Sequence, residues 1–219
     1  MDVDSGGIYT IGGFFDTADF DPGSNVFNLT SLGNNDIFVS KLNKDGSFAW
    51  AISIGSTGYL EYAHDVTLDA SGNVYVIGTF GGTIDFNPGA EVFNMTSKGV
   101  HDVFILKLDE NGNFVWAKSM SGADGNSKGE GTSIILDFSD NIYLTGSFSG
   151  VVDFDPGSGV HNLTSTPYGD NAFIVKLNGN GGFMWVKSMG VTVDGYTFPS
   201  VNSRDIVVDK NGNVYTAGG

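Results

Sequence analysis

The chain has 219 residues, with 25 acidic against 10 basic side chains, a formal net charge of −15 and no cysteine. That balance argues against nucleic acid and anionic membrane surfaces as partners, because both attract basic patches. The missing thiols exclude disulfides, thiol nucleophiles and cysteine-ligated metals, and no apolar run approaches the roughly 20 residues that insert into a bilayer.

In chain order, the first element is a turn at Asp4-Ser-Gly-Gly, followed by an apolar run from Ile8 that reaches Phe20 through Asp19. The same pattern returns at 74–86 as Val-Tyr-Val-Ile-Gly-Thr-Phe-Gly-Gly-Thr-Ile-Asp-Phe. It returns again at 142–154 as Ile-Tyr-Leu-Thr-Gly-Ser-Phe-Ser-Gly-Val-Val-Asp-Phe, and a fourth copy opens at Val214. Tyrosines fall at 9, 75, 143 and 215, and tryptophans at 50, 116 and 185. Such a period marks an array of supersecondary units, none able to bury its apolar face alone. The repeat units are 5–71, 72–139 and 140–211, with the start of a fourth at 212–219.

Within the second unit the apolar runs are Asp65 to Leu68, Val74 to Phe80, Val103 to Leu108 and Phe114 to Met120. They are short, rich in β-branched and aromatic residues, and lack a 3.6-residue period, so they read as strands. Turn chemistry separates them. Asp69-Ala-Ser-Gly-Asn and Asp109-Glu-Asn-Gly-Asn supply the Gly and Asn that tight hairpins require, as do Asn43-Lys-Asp-Gly, Asn178-Gly-Asn-Gly and Asp209-Lys-Asn-Gly. Runs such as Phe104-Ile-Leu are apolar on both faces and need cover on both sides. Radially stacked four-stranded antiparallel blades provide it, and the fold expected is all-β, a partial β-propeller of about three blades. A parallel β-helix is the alternative, but its shorter rungs would not place a Gly-centred hairpin after every second strand.

Each unit exceeds the roughly 40–45 residues of a common blade. The excess lies between the second and third strands. It carries Asp-Phe-Asp-Pro-Gly at 19–23, Asp-Phe-Asn-Pro-Gly at 85–89 and Asp-Phe-Asp-Pro-Gly at 153–157. The pattern carried by Asp69 to Phe80, Asp85 to Gly89 and Asp102 to Trp116 resembles the SBBP-type bacterial β-propeller repeat. That resemblance implies a propeller in a secreted or surface-attached protein and no catalytic residues. Closed propellers use about four to eight blades, so the units present suit a fragment of a longer chain, or copies that associate through open blade edges.

Residues present in every unit are expected to build the blade. Trp50, Trp116 and Trp185 read as packing residues, and Lys41, Lys107 and Lys176 as rim lysines. Length varies instead in the inter-blade connections Gly55 to Ala63, Gly122 to Gly131 and Gly190 to Ser203. Varying loops on a constant scaffold are where binding is encoded. In an antiparallel blade those loops and the inserts emerge at one end, so that face is the expected ligand face.

Counting back from Asp69, Asp137 and Asp209 aligns His64 with Thr132 and Arg204, and Asp65 with Ser133 and Asp205. These positions are expected at the channel mouth. Together with Tyr59 and Tyr62 they make the candidate ligand-binding set: His64, Asp65, Tyr59, Tyr62, Arg204 and Asp205. Arg204 beside Asp205 reads as a local ion pair more readily than as a ligand contact. His64 beside Asp65 has the makings of an oriented general base, but no nucleophile is placed beside it. His101 and His161 fall at non-equivalent positions and give no zinc set.

The insert pairs Asp19 with Asp21, Asp85 with Asn87 and Asp153 with Asp155 each place two oxygens on one side of an extended strand. Calcium is the cofactor that such oxygens would take, with loop carbonyls or water completing its shell. The competing reading is a Pro-Gly turn whose acids accept backbone N–H groups. The function expected is a non-enzymatic extracellular or cell-surface module for adhesion, glycan or protein binding, or scaffolding. The alternatives are a hydrolase or lyase at the channel mouth and a self-assembling repeat spacer.

Overall fold

The computed structural model describes residues 1–4, 6–33, 35–58, 61–167, 169–190 and 200–219, and these residues contain strands and turns without a helix. The first sheet comprises β1 (Asp2–Val3), β2 (Ile8–Phe14), β5 (Asp36–Leu42) and β6 (Phe48–Ile54). The second has β7 (Tyr62–Leu68), β8 (Val74–Phe80), β11 (Asp102–Leu108) and β12 (Phe114–Gly122). The third has β13 (Lys128–Leu136), β14 (Ile142–Ser149), β17 (Asn171–Leu177) and β18 (Phe183–Met189), and β19 (Ser203–Val208) with β20 (Val214–Gly218) forms a final pair. All pairings between these strands are antiparallel and sequential. This is the blade pattern expected, with the sheets phased so that each begins on the strand before its repeated Tyr.

Between the second and third strands of each sheet the insert folds as a small hairpin. These are β3 (Thr17–Asp19) with β4 (Asn28–Thr30), β9 (Thr83–Asp85) with β10 (Asn94–Thr96), and β15 (Val151–Asp153) with β16 (Asn162–Thr164). β15 also pairs with the end of β12, through Ser121 with Asp153 and Gly122 with Val152. The third sheet's insert therefore extends the second sheet. The aromatic residue of the Asp-Phe motif anchors the insert to its own blade. Phe86 is fully buried, 5.3 Å edge-on to Phe80 and 5.0 Å from Phe104. Phe154 repeats this against Phe148 and Phe173 at 5.1 and 5.0 Å. Gly78 permits the arrangement, because a Cβ there would meet the Phe104 ring at 2.6 Å and the Tyr62 carbonyl at 2.0 Å.

The Gly-centred hairpins share one polar network. Asp69 Oδ1 accepts the N–H groups of Ser71 and Asn73, while Oδ2 accepts Asn73 Nδ2 and the Tyr75 hydroxyl. Lys107 Nζ donates to the Tyr75 hydroxyl at 2.6 Å, lies over its ring and stands 3.5 Å from Asp69. Trp116 packs edge-on to Tyr75 at 6.1 Å. Asp137, Asn141, Tyr143, Lys176 and Trp185 repeat the set in the third sheet. The repeated Trp and Lys residues are thus framework.

Two outcomes test this framework by chemical denaturation. Phe86→Ala empties a fully buried aromatic site and is expected to cost about 3–5 kcal/mol. Asp69→Ala strands Tyr75 and Lys107 and is expected to cost about 2 kcal/mol, whereas Lys210→Ala, on an exposed turn, leaves the transition unchanged.

Candidate functional site: the junction of the second and third sheets

The inserts and the inter-sheet connections lie at the same end of the sheets. Val100 N–H donates to the Ser127 carbonyl and Gly129 N–H to that of His101, so the approach to β11 pairs with the approach to β13. At this end β13 lies beside β7 on one side and β19 on the other. Each of these inner strands carries a β-bulge at the same place, between Ala63 and Asp65, Gly131 and Ser133, and Ser203 and Asp205. His64, Thr132 and Arg204 are the extra residues. A bulge re-aims the side chain it carries, which is how equivalent positions come to do different things.

The residue after each bulge ties neighbouring sheets together. Asp65 Oδ2 accepts the Ser133 hydroxyl at 2.7 Å and the Ile134 N–H at 3.0 Å, and Ser133 also reaches Asp205 Oδ1 at 3.3 Å. One hydroxyl proton serves one carboxylate at a time, so the shorter Asp65 bond is the tie between the second and third sheets and Asp205 stands beside it as the second acceptor. Thr132 at its bulge donates to the Ser203 carbonyl at 2.8 Å, a further tie to the next strand. Arg204 is exposed and forms no ion pair among the described residues; Asp205 accepts its own neighbour's N–H, from Ile206, instead. The local ion pair expected from sequence is absent there.

His64 does something else. With Tyr62, Thr79, His101 and Glu130 it lines a cavity of about 230 Å³ between the second and third sheets. The rings of Tyr62 and His64 lie 6.2 Å apart at 32°. His64, Tyr62 and Glu130 are exposed at the open side of the cavity; partial desolvation of the imidazole lowers the His64 pKa, and the facing Glu130 carboxylate pulls it part of the way back. Two polar atoms of the wall, Thr79 Oγ1 and His101 Nδ1, are buried without a hydrogen-bond partner among the described residues. Tyr59 lies outside the described residues.

His101, Thr79 and Glu130 escaped the sequence reading. His101 has no sequence relation to His64; only the pairing of the approaches to β11 and β13 brings them to one wall. Glu130 could have been found, since the register that puts Tyr62 opposite Thr79 puts Glu130 opposite Ser147. His161 belongs elsewhere, stacked 4.8 Å from Phe183 where the other inserts stack Phe27 on Phe48 and Phe93 on Phe114.

The insert acids build their own turns. Asp19 Oδ1 accepts the N–H groups of Asp21 and Phe27, Asp85 Oδ1 those of Asn87 and Phe93, and Asp153 Oδ1 those of Asp155 and His161. The second member, Asp21, Asn87 or Asp155, accepts the N–H of Gly23, Gly89 or Gly157. Asn87 does this with an uncharged oxygen, so charge is not required at that position of the turn. Asp153 and Asp155 line a polar groove of about 340 Å³ that also holds Lys98, Ser119 and Ser121. Among the described residues no three His, Cys, Asp or Glu side chains gather as a metal set.

No family model matches the chain. An uncharacterized WD repeat-containing protein of Acanthamoeba polyphaga mimivirus is 26% identical over 199 residues, which cover 81% of this chain and 14% of that protein. The chain thus spans 14% of the length of the curated relative it matches. A crystal structure of a protein of unknown function from Bacteroides caccae aligns with 96% of this chain and 66% of its own at 11% identity and a TM-score of 0.30, a likeness too slight to carry an argument. What the chain shows for itself is an all-β repeat of propeller-like antiparallel blades.

The electrostatics of the cavity are open to measurement. NMR titration is expected to place the His64 midpoint below the ordinary value of about 6.5, with Glu130→Gln lowering it further and Asp205→Asn leaving it in place. Because the folded-state value is depressed, neutral His64 favours the fold above the free value, and that contribution is lost as pH falls.

Proposed function

We propose that the chain is a non-enzymatic binding module whose ligand places a small polar group in the cavity lined by Tyr62, His64, Thr79, His101 and Glu130. The observation that carries this reading is that two of the residues lining the cavity, Thr79 and His101, each hold a buried polar atom, Oγ1 and Nδ1, without a partner among the described residues, which a turn of either side chain would bring to the opening. Buried polar groups in folded proteins are almost always hydrogen-bonded, so two orphans around one opening call for a partner from outside. The wall offers ring faces from Tyr62 and His64 beside a hydroxyl, an imidazole and a carboxylate. One sugar ring fits that chemistry, with its C–H face on the rings and its hydroxyls on the polar atoms. The volume of about 230 Å³ is below the roughly 300–1,000 Å³ of whole-ligand pockets, which favours one residue of a longer glycan.

The non-enzymatic reading rests on the wall's chemistry. Glycoside hydrolysis uses two carboxyl groups across the scissile bond, and among the described residues Glu130 is the one carboxylate that lines this cavity. Placement at a cell surface or in the medium is supported by the acidic composition and by the likeness of the repeat to the SBBP type.

The test is a glycan array followed by calorimetry on the best binder. His101→Ala and Thr79→Val are each expected to weaken binding about 10- to 100-fold, while Asp155→Asn leaves it unchanged and no product forms. Binding indifferent to both cavity variants would overturn the site, and turnover that disappears with His64→Ala would replace the module with a hydrolase or lyase.

A further inference from the structure

The junction between the first and second sheets holds a buried charge that its sister junction lacks. The strand register aligns Glu61 with Gly129, and Asp36 with Asp102. In the second sheet Asp102 is fully engaged. Its Oδ2 accepts the Lys98 N–H at 2.8 Å, and its Oδ1 those of Gly99 at 3.2 Å and Gly122 at 2.9 Å. The third sheet has a neutral residue there, Asn171, bonded to Thr166. The first sheet keeps the acid, gives it one N–H, from Leu32 to Oδ2 at 2.8 Å, and adds a second acid.

Both acids are out of solvent: Asp36 is 1% exposed and Glu61 0%. The Ser56 hydroxyl donates to Glu61 Oε1. The remaining oxygens, Asp36 Oδ1 and Glu61 Oε2, are buried with no hydrogen-bond partner among the described residues. Asp36 and Glu61 flank one corner of the chain, where Asn35 Nδ2 donates to the Glu61 carbonyl at 2.9 Å. Gly55 presses on the Asp36 carboxyl so closely that a Cβ would stand 2.1 Å from its Cγ, and the next residue, Ser56, holds Glu61. Burial, reinforced by the Asp36 charge and eased by the Ser56 hydroxyl, pushes the Glu61 carboxyl up to about 7.

We propose that Asp36 Oδ1, Glu61 Oε2 and the Ser56 hydroxyl are ligands of one bound calcium ion at the junction of the first and second sheets. Two buried carboxylates cannot both be charged without a counter-charge, and the described residues provide no cation beside them. The donors are oxygen alone, which suits calcium and not zinc. Irregular loop geometry suits calcium over magnesium, which demands near-ideal octahedra. Ser56 also lines a solvent-open groove of about 580 Å³ with Thr57, Thr83, Thr96 and Ser97, so the Ser56 side of the site stands beside water. The site is separate from the repeated insert acids and from the His64 cavity.

The experiment uses the whole chain, stripped with chelator and studied at about pH 8, where Glu61 is ionised. Calorimetry with calcium chloride is expected to show one ion per chain. The melting temperature is expected to rise by about 5 °C or more at a hundredfold excess over Kd. Glu61→Gln and Asp36→Asn should each abolish the heat and the shift, with far-UV circular dichroism showing the fold retained, while the double variant Asp153→Asn/Asp155→Asn keeps both. Should either acid variant fail to fold, calcium-dependent amide protection at residues 55–58 and 61–63 of the wild type replaces it. A folded wild type that shows neither heat nor shift in about 10 mM calcium would overturn the proposal. So would a shift that survives Glu61→Gln or vanishes in the insert double variant. A melting temperature that falls as pH rises through about 7 and ignores calcium would show that the pair shares a proton instead.

Discussion

Burial on both faces is the constraint from which the rest of this structure follows. β8 is buried at every one of its positions, so neither face of its sheet can meet water, and only another sheet on each side satisfies it. The tyrosine that heads the repeat makes the dependence visible. Tyr9, Tyr75 and Tyr143 are 0–2% exposed, whereas Tyr215, at the same place in the final strand pair, is 56% exposed. Sequence and strand position are the same; what differs is the neighbouring protein. Burial in this chain belongs to the stack and not to the strand.

Stacking sheets on an inner edge crowds their first strands together, and polar ties handle that crowding. Asp65, Ser133 and Thr132 bond across sheet boundaries where apolar packing alone would leave register unfixed. A similar economy explains the acidity. Asp4, Asp19, Asp45, Asp69, Asp85, Asp109, Asp124, Asp137, Asp153 and Asp209 each accept the backbone N–H two residues on. Turn construction therefore contributes to the net charge of −15, since a repeat that turns often with Asp accumulates carboxylates.

Strands, hairpins and the face shared by inserts and connections were legible because each rests on local chemistry repeated several times. The Asp-Asn-Gly turns, the Tyr–Trp pairs and the bulge alignment of His64, Thr132 and Arg204 all follow from spacing. The fold of the insert was less legible, because three-residue strands such as Thr83–Asp85 leave too short a pattern to read. The cavity was legible only in part. His64 and Tyr62 sit on an inner strand that spacing locates, but His101 and Glu130 reach them through pairing between sheets, which no local period encodes. Glu61 stood in a connection recognised as variable, yet its burial depends on Asp36, which lies on another strand and looks in sequence like its engaged sister Asp102. The ion pair expected of Arg204 is absent among the described residues, where Asp205 accepts the Ile206 N–H.

The hydrogen-bonded rungs between β12 and β15 have a consequence for how the array comes apart. They stitch a hairpin belonging to one blade onto the outer strand of the blade before it, so the boundary between repeats is overlapped like roof tiles. Peeling away the later blade tears rungs out of the earlier one, and a tear begun in the earlier blade loosens the anchor of the later. The second and third sheets are thereby made to melt together, and a tether pulling between them would meet resistance at this overlap before either sheet gave way.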